Sequence, residues 1–251
     1  MPVSGIRLAL SWLTVLPIRG PGVVDRVIAG RAIALAPLVG LLLGGGAAGV
    51  LWVSATAGTS FGLAGLLAVA ALALATRGMH LDGLADTMDG LGSYGPPERA
   101  REIMKSGGAG PFGVAALLFA VGIQALSFAA LAEYGRWWAV VVAVAAGRVA
   151  VVLSCRRGGT AAPGAGFGAL VAGTQSTIVA AAWCVIAVAA GVFATPDRLW
   201  LGALAVAAGL AVAALLVRHC HRRFGGLNGD VLGAASELTV TVTAALLSLH
   251  P

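Results

Sequence analysis

A short acidic motif, DGLADTMDG, lies in one of the few hydrophilic stretches of this sequence. Its carboxylates, Asp82, Asp86 and Asp89, are spaced at i, i+4 and i+7. On a helix of about 100° per residue these positions fall within about 60° of one another, so the three side chains would project from one face. Three like charges so close repel one another unless a cation lies among them. The spacing therefore predicts a cation site.

The ligand types indicate which cation this site would hold. Hard cations such as Mg²⁺ take carboxylate oxygens, keep several waters and bridge to substrate phosphates. The motif has no Cys or His ligand pattern, which favours Mg²⁺ or Mn²⁺ over zinc. Asp82, Asp86 and Asp89 are thus predicted as metal ligands and catalytic residues, and the nearby His80 as a substrate ligand. In the alternative interpretation these acids are solvated loop residues and helix caps.

A second polar segment follows, with the sequence PPERAREIMKSGGAGPFG. Its charges alternate in sign at i, i+3 and i+4, which is typical of ion pairs on a helix surface. Alternatively, Lys105 or an Arg contacts a phosphate, and the glycines after Lys105 offer backbone donors to it. Lys105 is retained as a candidate substrate ligand.

A third polar segment, GGLNGDVLGAASELT, brings two acids to the start of the last apolar stretch. Asp230 and Glu237 are seven residues apart and share a helical face. An ionisable residue within a membrane span is costly and is by default a candidate for function. Glu237 is predicted to complete the cation site, or else to pair structurally with Arg148, which also lies within an apolar stretch. Asn228, Asp230 and Arg148 are candidate substrate ligands.

The elements that carry these residues are predicted to be membrane helices. The 251 residues are 59% hydrophobic and 10% charged, with a mean hydropathy of +0.95, which leaves too little polar surface for a water-soluble globule. The fold class is therefore all-α, a polytopic bundle in the lipid bilayer that forms one domain over residues 1–251. Residues 3–18 are predicted to be an interfacial or re-entrant segment, and small residues between Gly40 and Gly49 predict close helix packing. About seven apolar stretches are long enough to cross, near residues 33–53, 60–76, 112–132, 137–155, 177–194, 199–217 and 231–249.

Basic residues predict the orientation of the bundle. Of the 16 Lys and Arg, all but Arg136, Arg148 and Arg198 fall on the side of the N-terminus. The positive-inside rule then places the N-terminus in the cytoplasm, the C-terminus outside, and all three polar segments on the cytoplasmic face. The bases are spread over loops, so the net charge of +6 does not indicate nucleic-acid binding. Three isolated cysteines predict neither a disulfide nor a zinc site. They are Cys155, Cys184 and Cys220.

The stretches GMHLDGLADTMDGLG, EIMKSGGAGPFG and GGLNGDVLGAASELT together resemble the cobalamin synthase family, also called adenosylcobinamide-GDP ribazoletransferases or cobalamin-5′-phosphate synthases. The resemblance extends over most of the chain, including WLTVLPIRGP and PLVGLLLG. It implies a Mg²⁺-dependent transferase of the bacterial inner membrane. Its donor would be adenosylcobinamide-GDP, its acceptor α-ribazole or the 5′-phosphate, and its leaving group GMP. A homo-oligomer is compatible with this assignment.

The family's functional elements fall on particular residues of this chain. Its acidic motif corresponds to Asp82, Asp86 and Asp89, and its last elements to Asp230 and Glu237. The metal would bridge the donor diphosphate and neutralise the charge that grows on the departing GMP. Either Asp86 or Asp89 could be the base that accepts the hydroxyl proton instead of a metal ligand. A large corrinoid also implies a cavity open to the cytoplasm. Where many members carry an acidic or Asp-Ser-Arg-like segment, this chain has residues 106–108 (Ser-Gly-Gly), so no ligand is assigned there.

Two other functions are compatible with parts of the pattern. A CDP-alcohol phosphatidyltransferase performs similar chemistry, but its signature includes an Ala-Arg pair and a fourth Asp that this chain lacks. A cation-coupled transporter would carry acids near the bilayer midplane and repeated broken helices. The acids here are predicted to cluster at one face, which favours an enzyme.

Overall fold

A computed structural model of the chain describes residues 2–249. Within this range the chain is helical, with two isolated β-bridges and no β-sheet. The all-α prediction is confirmed. The helices are α1 (Pro2–Leu13), α2 (Arg26–Ala34), α3 (Ala36–Thr56), α4 (Phe61–Ala75), α5 (Met79–Gly92), α6 (Pro97–Met104), α7 (Pro111–Glu133), α8 (Trp137–Ser154), α9 (Gly166–Val171), α10 (Thr177–Val192), α11 (Leu199–Phe224) and α12 (Gly229–Leu247).

Five helices, α3, α7, α8, α11 and α12, are long and apolar enough to cross a membrane, so the chain is a multi-pass membrane protein. The predicted number of seven is not confirmed. Helix α10 has 16 residues and α4 has 15, so they reach about 22–24 Å, against a hydrocarbon core of about 30 Å. Helices α4 and α5 add at most one broken span, because they are bent by 92°. The N-terminal segment forms α1, whose 12 residues are too few to cross.

Helix α8 forms the centre of the bundle and packs against α3, α10, α11 and α12. Its contact with α3 depends on two glycines. A Cβ at Gly40 would lie 2.9 Å from the Ala145 Cα, and one at Gly44 would lie 2.9 Å from the Val141 Cα. The predicted close packing of small residues is therefore confirmed at these two glycines, whereas the neighbouring glycines of α3 face open space.

The acidic motif forms α5, and a tight turn sets its direction. Arg77 and Gly78 both adopt positive φ angles, of 57° and 69°, which end α4 and redirect the chain. The Arg77 guanidinium donates to the carbonyls of Ser11 and Trp12, at 2.9 and 3.2 Å, and so fastens the end of α1 beside the start of α5. Helix α5 runs at 92° to α4 and is not one of the five membrane-crossing helices.

Candidate active site

The site is built where α5 crosses the first turns of α12. A Cβ at Gly83 would lie 2.8 Å from the carbonyl oxygen of Asp230, and one at Gly233 would lie 3.1 Å from that of His80. The two backbones therefore touch, because each helix presents a glycine at the crossing. This contact brings Asp82 of the acidic motif beside Asp230, 148 positions further along the chain.

The close approach predicts that Gly83→Ala destabilises the protein. The nearest atoms to the new Cβ belong to the Asp230 backbone and cannot rotate away. We expect a cost of about 1–3 kcal/mol, seen as a Tm lower by several degrees in detergent. Gly122→Ala in α7 is the matched control, because a Cβ there meets open space. Equal Tm values for the two variants would contradict the observed crossing.

Carboxylates gather at this crossing in what we call the acidic cluster, namely Asp82, Asp86 and Asp230. Burial, followed by the charges of Asp82, Asp230 and Asp89, raises the pKa of Asp86 to about 6. The ion pairs formed within residues 2–249 involve other carboxylates. The cluster therefore concentrates negative charge without a paired side-chain cation, and its donors are hard oxygens.

Asp89, predicted as a metal ligand and catalytic residue, has a different environment. Its two carboxylate oxygens accept hydrogen bonds from the backbone N–H groups of Gly110 and Gly113, at 2.7 and 2.9 Å. The side chain thus caps the N-terminus of α7, where backbone donors have no partner within the helix. For Asp89, the helix-cap interpretation is the one that the geometry supports.

Asp89→Ala should therefore lower stability. Two backbone donors at a buried helix start would lose their acceptor, and we expect a loss of about 2 kcal/mol in thermal unfolding. Asp25→Ala is the matched control, since Asp25 caps α2 through one hydrogen bond in an exposed position. Its expected cost is smaller, about 1 kcal/mol. An unchanged Tm in Asp89→Ala would argue against the capping role.

Glu237 is not brought to the acidic cluster. It follows Asp230 by two helical turns, about 10 Å along α12. Its Oε2 accepts a hydrogen bond from Gln124 Nε2 at 2.9 Å, and it lines a small cavity of about 20 Å³ together with Gln124 and Arg148. The Arg148 guanidinium donates to the Ser236 hydroxyl. Glu237 and Arg148 thus line one buried cavity with opposite charges, although the ion pairs formed within residues 2–249 do not include them. In the same range no three His, Cys, Asp or Glu side chains are grouped to hold a metal ion.

Two cavities open beside the acidic cluster. The apolar cavity, of about 340 Å³, is walled by Trp12, Leu13, Ile33, Val151, Phe167 and Leu232, with His80, Asp82 and Asp230 at one side. The basic cavity, of about 220 Å³, is lined by Arg101, Lys105, Asn228 and the loop of residues 162–167. Both cavities include Phe167, Gly229 and Asp230. The carboxylate of Asp230 therefore stands between an apolar and a basic compartment.

His80 is placed in the wall of the apolar cavity, as a substrate ligand would be. Burial, with a smaller contribution from the charge of Arg148, holds its pKa well below the usual range, so the imidazole is neutral. Its Nδ1 is buried without a hydrogen-bond partner among the described residues. A buried polar atom without a partner beside a cavity can bind a polar group of a ligand.

The second polar segment contains both surface ion pairs and a lysine that faces the basic cavity, so each of its two interpretations applies to different residues. Glu98 pairs with Arg101 at 2.9 Å and Glu102 with Arg99 at 3.1 Å, so the surface ion pairs are confirmed. Lys105 stands apart from these pairs and lines the basic cavity. The turn of residues 106–108 is exposed and lines neither the apolar nor the basic cavity.

Asn228 supports Asp230 from the mouth of the basic cavity. Its Oδ1 accepts from the Val231 N–H at 2.9 Å and so caps α12, while its Nδ2 donates to Asp230 Oδ2 at 3.0 Å. The side chain predicted to bind substrate therefore orients a carboxylate of the acidic cluster.

Sequence reasoning missed the walls of the apolar cavity. Trp12 and Phe167 meet edge to face with ring centroids 4.9 Å apart, although they belong to α1 and to the short helix α9, and neither helix carries a motif. No spacing in the sequence links them. The three cysteines are free, as predicted.

Comparison with known proteins gives one consistent result. The sequence model of the cobalamin-5-phosphate synthase family matches residues 5–248. A protein of Corynebacterium efficiens named adenosylcobinamide-GDP ribazoletransferase is 40% identical, over 96% of this chain and 90% of its own length. Proteins of the same name are 42% identical in Frankia casuarinae, over 97% and 94%, and 33% identical in Bradyrhizobium diazoefficiens, over 98% and 95%. No solved structure matches the chain.

Proposed function

Because this chain belongs to the cobalamin-5-phosphate synthase family, we propose that it joins adenosylcobinamide-GDP to α-ribazole or α-ribazole 5′-phosphate and releases GMP. The observation that carries the proposal is the acidic cluster between the apolar and basic cavities. The reaction needs a place for phosphates, a place for an aromatic base, and a charged centre between them. These are the three features found at the crossing of α5 and α12.

Each substrate part has a cavity of matching chemistry. The donor diphosphate lies in the basic cavity, where the ammonium of Lys105 neutralises part of its charge. The flat base of the acceptor lies in the apolar cavity, against the wall that Trp12 and Phe167 form together, and His80 Nδ1 binds one of its polar groups. The corrin ring is larger than either cavity and stays at their mouth.

The acidic cluster suits Mg²⁺ that is shared with the donor. This ion is usually held by one or two carboxylates together with waters and substrate phosphates. Asp82 and Asp230, which line the same cavity, would hold it together with donor phosphates, since no three side chains of residues 2–249 are grouped to hold an ion by themselves. When bound, the ion supplies Lewis-acid stabilisation of the charge that grows on the departing phosphate.

The side chains provide the remaining steps. A hydroxyl oxygen of the acceptor forms a bond to the phosphorus that carries cobinamide, and the bridging P–O bond to GMP breaks. Asp86, the carboxylate of the acidic cluster that is not assigned to the ion, accepts the hydroxyl proton. Asn228 orients Asp230, and Asp89 holds the start of α7.

The proposal is tested by GMP release from purified protein in detergent. Adenosylcobinamide-GDP with α-ribazole 5′-phosphate should yield GMP with Mg²⁺ and none with chelator. CDP-diacylglycerol with an alcohol acceptor is the comparison, and CMP release from it would support a phosphatidyltransferase. Uptake of substrate into vesicles without GMP release would support a transporter. Absence of GMP from folded protein would overturn the proposal.

The same proposal places the acidic cluster at the cytoplasmic face of the bacterial inner membrane, with the N-terminus inside and the C-terminus outside. Both substrates are polar and cytoplasmic, and the basic residues gather on this side. A cysteine introduced at the exposed Ser106 should react with a membrane-impermeant thiol reagent only after the cells are opened. Labelling of intact cells would contradict this orientation.

A further inference from the structure

A second concave surface, the basic groove, lies at the same end of the bundle as the acidic cluster but outside both substrate cavities. It is formed by the turn after α8 and by the last turns of α11, and its cavity measures about 350 Å³. Four arginines line it, together with His221, and no carboxylate does. The arginines are Arg156, Arg157, Arg218 and Arg222.

The arginines of the basic groove lack partners in the fold. None forms an ion pair with a described carboxylate, and the one side-chain hydrogen bond among them runs from Arg156 to the Leu153 carbonyl at a long 3.5 Å. Other arginines at this end behave differently. Arg101 donates to the Phe224 carbonyl at 2.9 Å, and Arg223 donates to the Ser93 carbonyl at 3.0 Å. Those two hold the fold, whereas the groove arginines are free to bind a ligand.

General rules of membrane proteins explain only part of this pattern. The positive-inside rule accounts for arginines on one face, and the helix dipole favours basic residues in the last turn of α11. Neither requires four unpaired arginines to line one concave surface. A bound anion would neutralise part of their charge.

The position of the groove indicates where the anion comes from. Leu215 is 66% exposed and precedes Arg218 by about one turn on the apolar helix α11. Arg222 follows one turn later on the same side. The helix surface thus changes from apolar to basic as a lipid changes from acyl chain to phosphate. Guanidinium groups can also bind phosphate oxygens through two parallel hydrogen bonds.

We propose that the basic groove binds the phosphate group of an anionic ligand, and its position favours the headgroup of an anionic phospholipid over a soluble phosphate. This site is independent of the reaction proposed above, since its residues line neither substrate cavity.

The test compares the protein with Arg218→Gln/Arg222→Gln in a neutral detergent after lipid removal. Phosphatidylglycerol, phosphatidylcholine and inorganic phosphate are titrated separately, and the Tm is followed. Phosphatidylglycerol should raise the Tm to a plateau, with a midpoint about 30-fold higher in the double variant, since each basic residue near the surface contributes about fivefold. Arg7→Gln/Arg19→Gln is the matched control, because it removes two charges from exposed arginines outside the groove and should keep the original midpoint.

The outcomes separate the sources of the anion. A response to phosphatidylglycerol alone supports the lipid, whereas a groove-dependent response to inorganic phosphate supports a soluble ligand. Equal midpoints for the protein and the double variant, or an equal response to phosphatidylcholine, would overturn the proposal. If Arg218→Gln/Arg222→Gln does not fold, Arg218→Lys/Arg222→Lys keeps the charge and should weaken binding by loss of the paired hydrogen bonds.

Discussion

Asp82→Asn and Asp86→Asn should each lower the rate of GMP release by about 10²–10³-fold while the protein stays folded. Each change removes one negative charge from the acidic cluster, namely a proposed metal ligand at position 82 or the proposed base at position 86, and leaves the side-chain volume nearly the same. The charge of Asp82 also contributes to raising the pKa of Asp86, so an amide at position 82 relieves repulsion and should leave the Tm unchanged or higher. The measurement is the rate of GMP release at saturating Mg²⁺, beside the Tm of each variant.

Asp197→Asn is the matched control for these variants. Asp197 pairs with Arg136 at 3.1 Å, its side chain is 64% exposed, and it lines neither substrate cavity. Its replacement should change the rate less than twofold. If Asp82→Asn and Asp86→Asn also retain nearly full rates, the acidic cluster is not the catalytic centre. A large loss of rate with an intact Tm in these two variants alone would support it.

The acidic cluster could be predicted in part from spacing, because an i, i+4 pair must share a helical face. Asp82 and Asp86 meet this rule within a single helix. The role of Asp89 could not be predicted in the same way, since its partners are backbone donors of Gly110 and Gly113 in a separate helix. Helical phase places a side chain on a face, but it does not say which neighbouring helix covers that face.

The prediction that Glu237 completes the cation site took account of the helical face but not of the distance along the helix. Glu237 shares a face with Asp230, yet two turns separate them, and hydrogen bonding to Gln124 occupies one of its oxygens.

The walls of the apolar cavity could not be predicted from the sequence, because Trp12 and Phe167 come from segments far apart in sequence. Hydropathy located the ends of α4 and α10 to within a few residues, whereas the number of crossings depends on lengths close to the minimum for a span.

The buried, opposite charges of Arg148 and Glu237 predict the largest loss of stability. Arg148 is 3% exposed at the centre of the bundle, so the fold must compensate its charge where water is absent. Arg148→Met removes the positive charge that lines the same buried cavity as Glu237, and we expect a loss of about 3–5 kcal/mol in unfolding measured in detergent. Arg99→Met at the exposed ion pair with Glu102 is the control, with an expected loss of at most about 1 kcal/mol.

A double variant shows whether charge compensation or packing causes that loss. Arg148→Met/Glu237→Gln leaves no unpaired charge, and the amide can still accept the hydrogen bond from Gln124. We therefore expect the double variant to be more stable than Arg148→Met alone, because a buried pair costs most when only one partner is removed. If the double variant is the less stable of the two, the guanidinium stabilises the bundle through its packing and its contact with Ser236, and Glu237 is independent of it. Arg148 and Glu237 line neither substrate cavity. Replacing them should therefore lower GMP release only as far as it lowers the folded fraction of the protein.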